Sequence, residues 1–340
     1  MMQKIFVETL LPAYKNISHA VSEYIRWSYR TTIAGWNQFW FTPRSPYWLG
    51  VLRVLAGIMV LYTHLVWTLD FEGFLGVDRR IASEIAAEMN PSMWYWSHFD
   101  WFTSPTILWS LHWVAILVFT CFTLGLAMPW TGWLATLFAI SYAHRASGAL
   151  FGLDQMNVAL TLYLTLGGAG RLFSLDRWFE LRRQDGDKKK TIQPPPTHAP
   201  LLHSVMANIA TRLIQVQLCI IYLFAGTGKL QGVSWWNGEA LWGALASYQY
   251  QSIDMTWTHQ YPTFLALATH LSVAWEVSYL FLVWPKLTRP LVITMAVMVH
   301  LGIGMFLGMM TFGYVMIVAN LAFIEWDGLF HRQDSVSNLD

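Results

Sequence analysis

Gln217–Leu230 reads QLCIIYLFAGTGKL. An apolar run of membrane character ends on Gly226-Thr227-Gly228 and then on a lysine, Lys229. A charge in or beside a bilayer is costly and is kept where it snorkels, pairs or does chemistry. The run therefore points to spanning helices and makes Lys229 the first candidate for chemistry. The letters GTGK also invite a phosphate-loop reading, which fails. The upstream glycine of that motif is Leu223 here, and Leu230 stands where Ser or Thr belongs.

The rest of the chain has the same character. It holds 340 residues, 55% hydrophobic and 12% charged, with 20 tryptophans. Soluble domains carry about 25% charged residues, so this is an integral membrane protein. The net charge of +1 argues neither way, but the lack of a basic stripe interleaved with aromatics excludes nucleic acid as a partner. Cys121 and Cys219 lie inside apolar runs and read as core residues, not as a disulfide or metal framework. No metal site is expected. The amino terminus, MMQKIFVETLLPAYKN, lacks the apolar core of a cleavable signal.

A span takes about 20 apolar residues. Eight candidates follow: Trp48–Leu69, Thr106–Met128, Trp130–Leu150, Gln155–Gly170, Val205–Thr227, Phe264–Trp284, Leu291–Leu307 and Met310–Ile324. The fourth, seventh and eighth are short. The expected fold is all-α, a polytopic helix bundle of about eight spans. Residues 1–44 mix Tyr24, Ile25, Trp27, Trp36, Phe39 and Trp40 with Arg26 and Arg30, which suits an amphipathic helix lying in the interface. The membrane domain is expected over 45–326. The charged and proline-rich stretch 180–200 forms a flexible loop within it, and 327–340 is a cytoplasmic tail.

Basic residues set the orientation. Lys4, Lys15, Arg26, Arg30 and Arg44 precede the first span. Arg171, Arg177, Arg182, Arg183 and Lys188–Lys190 follow the fourth. Lys286, Arg289 and Arg332 lie on the same side. Both termini are expected in the cytoplasm, and residues 70–103 outside. The stretch PSMWYWSHFDWF in that outer loop reads as an aromatic belt at headgroup level.

Seven polar residues stand out. Arg53, near the cytoplasmic end of span 1, is read as snorkelling to the interface. Asp154 either caps the start of span 4 or shares a polar pocket with Asn157. Gln217 lies twelve residues, about 18 Å, before Lys229 and reads as interhelical glue. It joins Asp154 and Asn157 as a candidate substrate contact. Lys229 is either an interfacial lysine reaching outward or a partly desolvated lysine able to act as a base. Gly226 and Gly228 would let its backbone bend or approach a neighbour. Glu276, inside span 6, needs a cation, for which Arg53 and Arg212 are the candidates; the role is structural. His300, mid-span 7, should face the bundle. Gly302, Gly304 and Gly308 around it permit tight packing, with Gly304–Gly308 a GxxxG step.

The strings IIYLFAGTGKL with SWWNG after it, HLGIGMFLGMMTFGYVM, and the opening SPYWLGVLRVLAGIMVL resemble the transmembrane domain of vitamin K-dependent gamma-carboxylases. That domain also defines a wider group of bacterial, HTTM-type membrane proteins. The resemblance runs from about Ser45 to Ile324. It implies a lysine base at Lys229 that deprotonates a reduced quinone, and a pocket histidine at His300. Oxygenation of the quinol and carboxylation of a glutamate would follow. The chain departs from the carboxylases at the start of span 4, where Asp154-Gln155-Met156-Asn157 replaces an Asn-His pair. It also ends soon after span 8, where the carboxylases carry a large further domain, so carboxylation of protein glutamate is not expected.

Two functions remain open on sequence. One is a carboxylase-like enzyme, a lyase or quinol epoxidase, of the bacterial inner membrane. It would act on a lipid-soluble quinol such as menaquinol with Lys229 and His300 as catalytic residues. The other is a non-enzymatic scaffold or transport protein that retains the fold. Convergence of Lys229 and His300 would favour the first.

Overall fold

A computed structural model describes residues 11–80, 85, 88, 95–188 and 203–324. Glu84, residues 91–94 of the aromatic belt, residues 189–200 of the charged and proline-rich loop, and the tail at 327–340 lie outside the described residues.

Helices α1 to α12 span Leu11–Phe41, Tyr47–Trp67, Pro105–Leu124, Met128–Arg145, Gly152–Leu166, Leu175–Lys188, Val205–Lys229, Val233–Trp236, Ala240–Leu245, Pro262–Leu282, Arg289–Leu307 and Met310–Asn320. A single helical turn, Phe71–Phe74, follows α2. No β-sheet forms among the described residues; the one bridge pairs Arg44 with Ser204. Proline opens α3, α4, α10 and α11 in the first turn, where its missing N–H costs no helical bond. Gly125 and Gly308 close α3 and α11 in the left-handed conformation, which glycine adopts without strain.

All eight apolar segments are helical. Five helices are long and apolar enough to cross a membrane: Tyr47–Phe74, Pro105–Leu124, Val205–Lys229, Pro262–Leu282 and Arg289–Leu307. The 18 residues of α4, the 15 of α5 and the 11 of α12 fall outside that set. Helices α2 to α5 pack together as one group, and α7, α10, α11 and α12 as another. Contacts of α5 with α7 and α12, and of α2 with α12, join the groups. One apolar core, including Leu52, Phe119, Leu160, Leu218, Tyr279 and Val315, runs through both. Helix α1 leaves Tyr24, Trp27, Tyr29 and Trp36 exposed. Its carboxyl end is fastened to α7, where Asn208 and Arg212 donate to the Phe39 carbonyl.

Arg53 does not snorkel. It is fully buried, and its guanidinium donates to the carbonyls of Phe122 (2.9 Å), Thr123 (3.1 Å) and Phe173. It caps the free carbonyls where α3 ends, a position that favours a cation. At Gly125 a Cβ would stand 2.2 Å from an Arg53 nitrogen, so the glycine there also makes room for the cap. Asp176 complements it: its carboxylate accepts from the backbone N–H of Ala127 (2.8 Å) and Met128 (3.0 Å) at the start of α4.

The Gly226–Gly228 step does not break the helix either, because α7 continues through it to Lys229. Only Gly226 allows a close approach. A Cβ there would meet Val277 Cγ2 at 2.9 Å and the Val277 backbone nitrogen at 3.0 Å, whereas one on Gly228 would meet nothing within 4 Å. Of the Gly304–Gly308 step, only Gly304 serves tight packing: a Cβ there would meet Met310 Sδ of α12 at 3.0 Å, whereas Gly308 is the left-handed cap of α11 and Gly302 has Phe306 of its own helix nearby.

Candidate functional site

The site is built around α7. Asn208, Gln215, Tyr222 and Lys229 recur at a spacing of seven residues. Seven residues are nearly two full turns, so the four side chains share one stripe along the helix. Each is bonded to another element. Asn208 donates to the carbonyls of Phe39 and Trp40 at 2.7 and 2.9 Å. Gln215 donates to the Ala322 carbonyl at 2.8 Å. Tyr222 meets His300, and Lys229 meets Glu276.

Lys229 and Glu276 form a direct ion pair, with Nζ 2.5 Å from Oε1 and in contact with the other carboxylate oxygen as well. Their side chains are 24% and 10% exposed. The geometry follows from the backbone. A helical side chain leans toward its own amino terminus, so Lys229, at the end of α7, reaches back along the helix. Gly226 lets α10 come close enough for Glu276 to lie under it. Trp235 of α8 places its ring 5.1 Å from Nζ, a cation–π contact. Neither Arg53 nor Arg212 is the partner of Glu276. Arg53 caps α3; Arg212 donates to Gln215 and stacks on Phe39 at the far end of α7.

Two turns before Lys229, the Tyr222 hydroxyl lies 2.8 Å from His300 Nε2. It also accepts from Asn320 Nδ2 at 3.0 Å, and Asn320 Oδ1 accepts from the Tyr279 hydroxyl at 2.7 Å. The His300 ring packs against Tyr222 and edge-on to Phe312. His300 Nδ1 is buried and has no hydrogen-bond partner. Lys229 and His300 thus belong to one cluster on α7, α10, α11 and α12 but do not touch. Seven residues along α7 separate their levels by about 10 Å.

The other candidates lie apart from that cluster. Asp154 is not the cap residue of α5. It occupies the first turn and accepts from the Phe151 N–H at 3.1 Å, closing the helix start from inside. Asn157 donates to Thr63 at 3.2 Å and, with Asp154, His64 and Tyr142, lines a cavity of about 10 Å³, the size of one water. Gln217 is half-buried and accepts from Tyr163 of α5 at 3.1 Å, two positions off the stripe. Tyr222, Gln215, Tyr279 and Asn320 were missed in the sequence reading; the seven-residue spacing from Lys229 would have found the first two.

Two cavities open at the Lys229 end. One, of about 340 Å³, is lined by apolar groups of Leu230, Trp235, Trp236, Val273 and Val277. Lys229 and Glu276 do not line it; the link to the ion pair is Trp235, whose ring is 5.1 Å from Lys229 Nζ. A wider groove of about 1130 Å³ includes Trp235, Asn237, Glu239, Trp242 and His259. Trp235 forms part of both.

No curated protein and no solved structure matches the chain. Residues 198–327, the stretch that holds the polar stripe, the Lys229–Glu276 pair and His300, match the family model of the HTTM domain.

Proposed function

We propose that the HTTM domain takes a lipid-soluble quinol into the apolar cavity beside Lys229 and removes its proton. The observation that carries this reading is a largely buried Lys229–Glu276 pair beside Trp235, a ring that also lines that cavity. Binding sites of this kind are mostly apolar with few, well-placed polar groups. A lysine in an ion pair is already protonated and is not a base. It becomes one when its Nζ proton passes to Glu276, leaving a free amine and a neutral carboxylic acid. The amine then takes the quinol hydroxyl proton: the O–H bond breaks, an N–H bond forms, and the ammonium remains beside the quinolate. The neutral pair is favoured as the site dries, so substrate entry itself would drive the exchange. Oxygenation, as the carboxylase resemblance implies, would act on that quinolate, with dioxygen as the oxidant.

We place the protein in a bacterial inner membrane with both termini in the cytoplasm and the Lys229 end outside. Asp154, Asn157 and Gln217 take no part in proton removal on this reading, since their bonds lie with other elements. A transport role would require the polar stripe to line a path. Its four side chains are instead bonded to neighbouring elements, which is the arrangement of interhelical ties.

The test is quinol consumption by protein reconstituted in lipid. Lys229→Ala and Lys229→Arg should both lose turnover by at least about 100-fold, Arg because its guanidinium keeps its proton. Equal turnover in wild type and both variants would remove Lys229 from the mechanism. No turnover in any of the three would favour the scaffold reading.

A further inference from the structure

The two cavities at the Lys229 end share more than Trp235. Pro262, Thr263 and Ala266 of α10 line the wide groove of about 1130 Å³, and His270, Val273, Ala274 and Val277 line the apolar cavity of about 340 Å³. With 3.6 residues per turn, these positions fall on one face of the helix. From Pro262 to Val277 that face runs about 22 Å, roughly half of the 40–45 Å bilayer and so the depth of one leaflet with its headgroups. The facing wall is the α8–α9 segment, and it is fastened in place. Gly238, left-handed between the two helices, brings the chain against α10, where a Cβ would stand 2.5 Å from that of Ala266. The Thr269 hydroxyl accepts from the Leu241 N–H at 3.3 Å. His270 Nε2 donates to the Trp236 carbonyl at 3.0 Å, and Trp236 Nε1 donates to the Leu230 carbonyl at 2.7 Å. Both walls are thus set by bonds within the protein, which lowers the cost of binding anything between them.

Polarity is graded along this seat. At the start of α10 the groove carries Glu239, Asn237, His259 and Thr263, and one turn deeper the walls become apolar. A ligand with one polar end and one apolar chain matches both parts, and the bilayer itself supplies such molecules. Charge selects the headgroup. Among the described residues, neither lining includes a lysine or an arginine. Lys229 does not alter this, because Glu276 answers its charge. Glu239 is the carboxylate of the groove. It precedes α9, but its side chain does not cap that helix and makes no ion pair among the described residues. His259 places Nδ1 2.7 Å from the Thr256 carbonyl, which only accepts, so Nδ1 carries the hydrogen and Nε2 of the neutral ring is an acceptor. Trp242 is exposed in the same lining, and its ring face attracts a cation. We infer that α8, α9 and α10 seat one membrane lipid with a primary ammonium headgroup. Its ammonium meets Glu239 and Trp242, its phosphate ester accepts from Asn237 and Thr263, and one acyl chain passes Trp235 into the apolar cavity. A purely anionic headgroup would meet the Glu239 carboxylate and no cation. The inference goes beyond the quinol reading and needs neither Lys229 as a base nor any turnover. A chain in the apolar cavity and a quinol would exclude each other.

The test is native mass spectrometry of the full chain in detergent micelles, titrated with dioleoyl phosphatidylethanolamine or with dioleoyl phosphatidylglycerol. Wild type should take up its first phosphatidylethanolamine about tenfold more tightly than its first phosphatidylglycerol, as one exposed ion pair and one cation–π contact allow. Glu239→Gln should lose that preference and Glu239→Lys should invert it. Both should keep the wild-type unfolding temperature, since residue 239 is exposed and lies outside the spanning helices. Ala274→Trp sends a large ring into the apolar cavity from an exposed position and should weaken both lipids alike. Equal affinity of wild type for the two lipids overturns the inference whatever the variants do. A preference that survives in folded Glu239→Gln overturns the headgroup site, and unchanged binding in folded Ala274→Trp overturns the seat of the chain. No quinol is present in these measurements, so their failure leaves the quinol reading to stand or fall on turnover alone.

Discussion

Lys229 sends its charge toward the apolar interior, and Glu276 is what makes that possible. Taking both ions out of water costs several kcal/mol, which their attraction offsets only while they stay together. Glu276→Leu leaves the ammonium unpaired and should lower stability by roughly 2–4 kcal/mol, and Lys229→Met should do the same to the carboxylate. The double variant should recover most of the loss, because an apolar pair has no desolvation to offset. Thermal unfolding in detergent reads all three; additive losses in the double variant would mean the two side chains do not interact. A second residue-level effect lies outside the spanning helices. His98 is buried between Phe99 and Phe138 and bonded through Nδ1 to Ser141, with Nε2 unpartnered. Burial lowers its pKa to about 4, Asp100 pulling it upward and Arg145 further down. The folded protein therefore resists a proton that the unfolded chain takes up near 6.5. His98 leaves stability unaffected above about pH 6.5, and stability falls as pH drops from there toward 4, by on the order of 2–3 kcal/mol in all. His98→Phe should flatten that slope in unfolding curves measured across this range.

At the scale of elements, α7 and α10 meet through one small residue. Gly226→Ala places a Cβ against the backbone nitrogen of Val277 at 3.0 Å and Glu276 Cβ at 3.1 Å, and backbone cannot step aside as a side-chain tip can. It should cost about 1–3 kcal/mol. Gly228→Ala, two residues on, meets nothing within 4 Å and should be neutral or stabilising by up to about 1 kcal/mol, since alanine favours the helix. Comparable losses at the two positions, in the same unfolding assay, would dismiss the close approach. This contrast was not legible in the sequence. Periodicity and hydropathy locate helices because every spanning residue is apolar for the same reason, but they do not say which neighbour each face meets. Glu276 was recognised as needing a cation, and Lys229 as a costly charge, yet the two were not joined. Spacing along one helix gives depth, while pairing depends on which helices lie side by side. Arg53 shows the same gap. Its depth near the end of span 1 was legible, but its role as cap needed the end of α3 to be beside it. The polar stripe is the opposite case: residues 208, 215, 222 and 229 share one helix, so their period alone carries the information that Gln217, out of phase, does not.

At the scale of the molecule, the two helix groups differ in what they carry. The HTTM match takes in α7 to α12 and the proposed chemistry. Helices α2 to α5 hold a separate buried cluster, in which His112 bonds to Tyr142 at 2.6 Å and to Thr68 at 2.8 Å. The proposed orientation links the groups to the bilayer and can be judged by itself. Arg79 and Arg145 share Asp100, and Arg80 pairs with Asp70. The basic residues of that end are thus largely answered by acids, while the sequence after the fourth apolar segment carries Arg171, Arg177, Arg182, Arg183 and Lys188–Lys190. Lysine and arginine near span ends are enriched on the cytoplasmic side. A cysteine introduced by Lys189→Cys should therefore be protected in intact cells from a thiol reagent that cannot cross the membrane, and react once the cells are opened. A cysteine introduced by Asp78→Cys should react in both. Cys219 is buried and Cys121 lies within α3, so the parent chain supplies the background against which both are measured. Labelling of the residue-189 cysteine from outside would invert the protein and move the Lys229–Glu276 pair, with its cavity, to the cytoplasmic face. The proton-removal chemistry would survive that inversion, because it depends on the pair and its surroundings, but the quinol would then exchange its proton with the cell interior.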